Sequence, residues 1–275
     1  MAVDLAVQLM HATVQVEQPL GDGTRTVGTG FLVSDPTPDG RPRTVLVTAN
    51  HVLEGMPGGT ARIGFRFQNP DGSWSYAPQP VKIRDAAGHE LWTHHPSRDV
   101  AALTITAPPE FAKAAIPLNY LANDNTFTEY KVEAGDEMMA LGFPRGLSAN
   151  QAGFPILRSG RVASYPVAPA KIFPTFLLDF SVFPGNSGGP VFMTDQDHRR
   201  DVAATASQDP QFIAGLLTQQ VELNQERLEI GIVTHAKFIR ETLARIDDPQ
   251  APATMVAEFP VTGAKAASAE EAATN

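Results

Sequence analysis

The segment Phe183-Pro184-Gly185-Asn186-Ser187-Gly188-Gly189-Pro190 holds a serine in a glycine-rich turn with a strand expected on either side. Acyl transfer needs a nucleophile and donors for the oxyanion that forms on the attacked carbonyl. Glycine before and after the serine frees the backbone from the usual restriction on φ. The amides of Gly185 and Ser187 can then point at one small volume, which makes Gly185, Asn186 and Ser187 the candidate oxyanion turn. Pro190 ends the turn and starts a strand. An incidental serine in a plain hairpin is the bland alternative.

A serine hydroxyl is a weak nucleophile unless a base takes its proton. Two segments upstream supply the parts. Thr48-Ala49-Asn50-His51-Val52-Leu53 reads as a strand ending in a histidine, and His51 is the candidate base. Ser97-Arg98-Asp99-Val100-Ala101-Ala102-Leu103 sets an aspartate at the mouth of an apolar strand. An acid beside the histidine fixes its tautomer and stabilises the imidazolium, which is the role expected of Asp99. Alone, each residue has an ordinary structural reading. Together, His51 and Asp99 fall in the first half of the chain and Ser187 in the second.

The surrounding pattern is that of a β protein. Thr44–Thr48, Arg62–Phe67, Pro80–Arg84 and Val100–Ile105 read as strands, and about six precede residue 110. Residues 3–10 suit a short helix before a first strand near Thr13–Val16. Ala107 to Asp124 reads as a connector. A second series follows at Glu129–Val132, Met138–Leu141, Ile156–Ser164, Thr175–Phe180, Pro190–Met193, Phe212–Thr218 and Leu228–Thr234. Thr194–Pro210 is a long polar loop of a kind often tied to function. Thr234 can cap a helix over His235–Arg245.

Composition sets the outer limits. The chain is 43% hydrophobic and 19% charged, with 23 prolines and 22 glycines, which suits many short strands joined by turns. Its formal net charge is -9, which argues against nucleic acid and anionic membranes as partners. It has no cysteine, so disulfides and thiolate chemistry are excluded. No apolar run approaches the ~20 residues of a membrane helix. The first residues do not read as an export signal, and a cytoplasmic location is expected.

These motifs resemble the trypsin-like serine proteases of the chymotrypsin fold. Gly28-Thr-Gly-Phe-Leu-Val33, Thr48-Ala-Asn-His-Val52, Asp99-Val-Ala-Ala-Leu103 and Pro184-Gly-Asn-Ser-Gly-Gly-Pro190 are closest to the bacterial Deg-type branch. The resemblance implies an all-β fold: two six-stranded antiparallel β-barrels, the active site in the cleft between them, and a short C-terminal helix. Residues 1–112 would form the N-terminal barrel with His51 and Asp99, and 113–128 a connector. Residues 129–248 would form the C-terminal barrel with Ser187 and the helix, and 249–275 a disordered tail. The implied activity is that of a serine endopeptidase acting through an acyl-enzyme on Ser187. Its substrate would be a protein or peptide, and a regulatory protein is a further expected partner.

The same resemblance sets the floor of the substrate pocket at Ser181. Its walls come from the strands holding Thr218 and Gln220, and Gly231 and Val233. None is acidic, so a small or medium uncharged residue is expected before the cleaved bond. His235 would favour Glu or Gln if it faced the pocket; otherwise it begins the helix and faces elsewhere. His94 and His95 lack a second ligand pair, so neither a metal nor another cofactor is expected. Asn186 stands where many relatives carry an aspartate that pairs with a new N-terminus, so other contacts must order the oxyanion turn. The tail is too short for the peptide-binding module usual in the Deg-type branch. Two other readings compete: a catalytically silent peptide-binding or scaffold protein, and an acyl hydrolase of another fold. The chain order His51, Asp99, Ser187 argues against the latter.

Overall fold

The computed structural model describes residues 4–194, 211–223, 226–255 and 265–266. The loop expected over Thr194–Pro210 lies, past its first residue, outside these. Helix α1 (Leu5–Ala12) starts at Asp4, whose carboxylate accepts from the Ala6 amide, and buries Leu5 and Leu9. It runs into β1 (Thr13–Pro19), which pairs antiparallel with β2 (Arg25–Ser34). Next come β3 (Thr44–Thr48), a short helix α2 (Asn50–Glu54), β4 (Thr60–Gln68), β5 (Trp74–Lys82), β6 (Thr93–His94) and β7 (Ala101–Ile105). The strands lie in the order β5-β4-β1-β2-β3-β7-β6, and β8 (Ile116–Pro117) adds parallel to β2.

This sheet is open, where the resemblance implies a closed barrel. Its outermost strands, β5 and β6, do not pair with each other. β5 is paired with β4 along its whole length and carries Pro78 and Pro80, which have no N–H to offer a further neighbour. β6 is two residues long and closes nothing.

Two helices lie between the sheets in sequence, α3 (Pro109–Ala114) and α4 (Asp124–Glu129). Asn123 and Thr126 form a reciprocal capping box, so the chain is helical up to the expected strand at Glu129–Val132. Lys131, at φ 48°, then turns the backbone and no strand forms there.

The second sheet does close. β9 (Glu137–Gly142), β10 (Ile156–Val162), β11 (Thr175–Asp179), β12 (Pro190–Met193), β13 (Phe212–Leu223) and β14 (Glu226–His235) run in the order β12-β9-β10-β11-β14-β13. Pairing of β12 with β13 completes a six-stranded barrel. A two-residue strand, β15 (Lys265–Ala266), lies antiparallel to β13 opposite Glu222 and Val221.

Helix α5 (Ala236–Asp247) buries Phe238, Ile239 and Leu243 and packs on strands of both sheets. Thr234 does not cap it: its backbone belongs to β14 and its hydroxyl lies 3.3 Å from that of Thr218. Residues 249–255, expected to open a disordered tail, lie on the body. Ala251 is buried, and the Thr254 amide and hydroxyl both donate to Glu241 at 2.7 Å. Among the described residues no helix is long and apolar enough to cross a membrane.

A buried cation joins the two sheets. Arg66 on β4 donates to the carbonyls of Met10, His11 and Thr13 at the end of α1, and to Gly153 between β9 and β10. Those helix-end carbonyls carry the negative pole of the helix dipole, which suits a guanidinium. Burial lowers its pKa to about 10, so it stays charged at neutral pH.

His235 ends β14 and is fully buried, with its ring centroid 4.7 Å from that of Phe127 and 5.0 Å from that of Phe176. Burial lowers its pKa to about 4. The unfolded chain therefore takes up a proton near pH 6.5 that the folded chain refuses until about pH 4. Stability contributed by the neutral ring is complete above pH 6.5 and falls as pH drops toward 4, by up to about 3 kcal/mol. Denaturant titrations should show this decline between pH 6.5 and 5, and His235→Gln should flatten it.

Candidate active site

β3 delivers His51 on the first turn of α2, not at the strand's own end. Val52 and Leu53 anchor the helix in the core, and the Trp92 indole N–H donates to Asn50 Oδ1 at 2.9 Å. Asp99 grips His51 twice. One carboxylate oxygen accepts from the His51 amide at 2.9 Å; the other lies 2.6 Å from Nδ1. An ionised carboxylate only accepts, so Nδ1 carries the hydrogen and Nε2 is the basic atom of the neutral ring. The two side chains are 29% and 26% exposed, leaving the ring open to an incoming ligand.

The Asp99 loop is braced from behind. The Ser97 amide donates to His95 Nδ1 at 3.2 Å, which makes Nε2–H the donor to Glu241 at 3.0 Å. Ser97 Oγ donates to the Thr254 carbonyl at 3.1 Å. Burial pushes the Glu241 pKa up, but hydrogen bonds from His95 and Thr254 outweigh it and hold the carboxyl below its ordinary value. The acid's loop is thereby tied to α5 and to the segment after it. His95 is occupied as part of this brace.

The serine turn is held at three carbonyls. Pro184 O accepts from the Arg145 amide at 2.6 Å, Gly185 O from the Thr29 hydroxyl at 2.6 Å, and Ser187 O from the Thr29 amide at 2.9 Å. The Phe143 amide in turn donates to the Thr29 hydroxyl at 3.1 Å. In a trans peptide the C=O and N–H point in opposite directions. Anchoring Pro184 O on Arg145 therefore aims the Gly185 N–H the other way. The Asn186 amide is spent within the turn, on Phe183 O at 3.0 Å. Among the described residues, the Gly185 and Ser187 amides donate to no protein acceptor. These contacts take the place of an ion pair at Asn186.

Two glycines are dictated by this geometry. Gly185 sits at φ 92°, and a Cβ there would lie 2.4 Å from Phe143 O. Gly188 sits at φ 88°, where a Cβ would fall 2.2 Å from the Thr48 hydroxyl and 3.0 Å from the Ala49 amide. The serine turn thus touches the chain two residues before His51. The Ser187 hydroxyl donates to the Thr218 carbonyl on β13 at 3.2 Å.

Of the expected pocket residues, Ser181 gives its carbonyl to Arg158 at 2.9 Å, and Thr218 bonds the Ile232 carbonyl through its hydroxyl at 3.2 Å. Gln220 pairs with Gly231 across β13 and β14. A Cβ on Gly231 would meet Leu217 and Val182 at 3.0 Å and Phe180 at 3.2 Å, so the space there is small. Val233 is wholly buried.

A closed barrel beside an open sheet, with an Asp-held histidine on one and a glycine-flanked serine on the other, defines a trypsin-like architecture. Residues 28–199 match the trypsin-like peptidase domain, and the chain belongs to that family. Its fold is similar to that of the HtrA-type protease AlgW, solved with a tripeptide. That match has 16% identity and a TM-score of 0.54, and covers 90% of this chain and 64% of that one. It is also similar to the Rv3671c protease from M. tuberculosis in its active form. There the identity is 18% and the TM-score 0.52, over 92% of this chain and 88% of that one. This chain thus spans less than two thirds of the HtrA-type protease. Among curated proteins none matches the sequence.

Thr29→Val tests the anchor of the serine turn. It strands the Phe143 amide and the Gly185 carbonyl, and should cost about 2 kcal/mol or more in urea unfolding. Thr29→Ser, which keeps the hydroxyl, should stay near wild type.

Proposed function

We propose that this chain is a serine endopeptidase. Ser187 attacks the peptide carbonyl, His51 Nε2 takes the hydroxyl proton, and Asp99 holds the imidazole in the required tautomer. The developing oxyanion is received by the amides of Gly185 and Ser187, with Asn186 completing the turn. His51 then returns the proton to the leaving amine, and water hydrolyses the acyl-enzyme by the same steps in reverse. The observation that carries this reading is the double hold of Asp99 on His51 beside a serine turn with two uncommitted amides.

Ser187 must first turn about Cα–Cβ, exchanging the Thr218 carbonyl for the histidine nitrogen. Catalytic hydrogen bonds are often loose before substrate arrives. The substrate strand would lie along β13 at Thr218–Gln220. Its side chain before the cleaved bond would enter the space bounded by Ser181, Thr218, Gln220, Gly231 and Val233. The crowding of Gly231 by Leu217, Val182 and Phe180 supports a small uncharged residue there. A peptide substrate is in keeping with the tripeptide bound to the HtrA-type relative.

The bond from Ser187 to Thr218 favours one second reading, a catalytically silent peptide-binding protein. A fluorophosphonate probe separates the two, since it reacts only with an activated serine. Wild type should label and Ser187→Ala should not. Asp99→Asn should slow the reaction about ten-thousand-fold, the cost of a base left in the wrong tautomer. Absence of labelling in the folded wild-type protein would favour the silent reading.

A further inference from the structure

The outer edge of β13 is occupied on both sides of a short gap. On one edge, β14 pairs with β13 from Gly215 to Leu223. On the other, β12 pairs with Phe212–Leu216, and the backbone of Gly188 and Gly189 bonds Leu217 at 2.7 and 2.9 Å. Beyond the gap, β15 pairs with Val221 and Glu222. Thr218, Gln219 and Gln220 lie between, and the Thr218 carbonyl at the near end already meets the Ser187 hydroxyl.

The register of β15 points into this gap. Lys265 lies opposite Glu222 and Ala266 opposite Val221, antiparallel. Each further residue of the C-terminal segment therefore steps one residue back along β13. Carried on, that register would set Ala267 opposite Gln220, Ser268 opposite Gln219 and Ala269 opposite Thr218.

We propose that this chain's own C-terminal segment, Lys265–Ala269, docks as an added strand on β13 and competes with peptide substrates for the cleft. Docking depends only on strand pairing, whereas competition rests on the endopeptidase reading above. Three further observations favour this occupant. Ala267, Ser268 and Ala269 all have small side chains, which suits the tight packing of Leu217, Val182 and Phe180 around Gly231. The segment holds no proline, so each residue can join the ladder. The chain also leaves the body close to the site. Thr254 is bonded to Ser97, two residues from Asp99, and the ten residues from there to Lys265 can span up to about 35 Å. A tethered strand needs little intrinsic affinity, because the tether holds it at an effective millimolar concentration.

Full-length proteins test this. Ala266→Pro puts a residue that β-ladders tolerate poorly into the added strand and should release the segment. Fluorophosphonate labelling should then run about two- to ten-fold faster than in wild type. Ala272→Pro, past the proposed strand, should leave the rate unchanged. Hydrogen exchange supplies a readout independent of catalysis. In the Ser187→Ala background, amides of 218–222 should exchange more slowly than in Ser187→Ala/Ala266→Pro. Equal exchange in those two proteins would overturn the docking. Altered exchange with equal labelling rates would overturn the competition. Failure of every variant to label would sink the endopeptidase reading and leave exchange to decide the docking.

Discussion

The site depends on one buried threonine using every hydrogen-bonding group it has. The Thr29 amide holds Ser187 O, and its hydroxyl is shared between Gly185 O and the Phe143 amide. Its carbonyl accepts from the Thr48 hydroxyl at 2.6 Å, close to the start of the His51 helix. One residue of the open sheet thereby sets the serine turn against the histidine. Burial strengthens such a network and makes any gap in it costly, so the arrangement resists partial loosening. Arg145 adds the remaining anchor, and between them the peptide plane ahead of Gly185 has one orientation.

The acid is positioned by a separate device. Asp99 would be an ordinary loop aspartate but for the chain of bonds from Ser97 through His95 to Glu241. The helix that receives this chain belongs to the other half of the sequence, so the acid and the serine are each supported from across the molecule. Arg66 does comparable work at the opposite end, fastening α1 and the Gly153 turn to β4. The relative placement of the sheets thus rests on a few buried polar groups as well as on apolar packing.

Much of this was legible in the sequence where the signal is local. The glycine-rich serine turn, the start of β12 at Pro190, the two series of strands and the C-terminal helix are all written in short stretches. Asn123 and Thr126 also carry a local helix signal, a capping pair three residues apart. What could not be read is what distance creates. The partners of the Thr29 hydroxyl lie 114 and 156 residues away, and His95 meets Glu241 across 146. Barrel closure is of the same kind. It turns on whether β5 and β6 meet, and neither strand announces its neighbour.

Among the described residues, the outer edges of the open sheet have no strand partner, a common origin of unwanted association between molecules. β5 is guarded by Pro78 and Pro80, which blunt its outer edge as a template for a foreign chain. Thr218-Gln219-Gln220 on β13 has no such guard. The molecule thus refuses strands at the rim of one sheet and can admit them at the rim of the other. On the endopeptidase reading proposed above, those two kinds of edge must stay distinct, or the protein would gather its own copies as readily as its ligands.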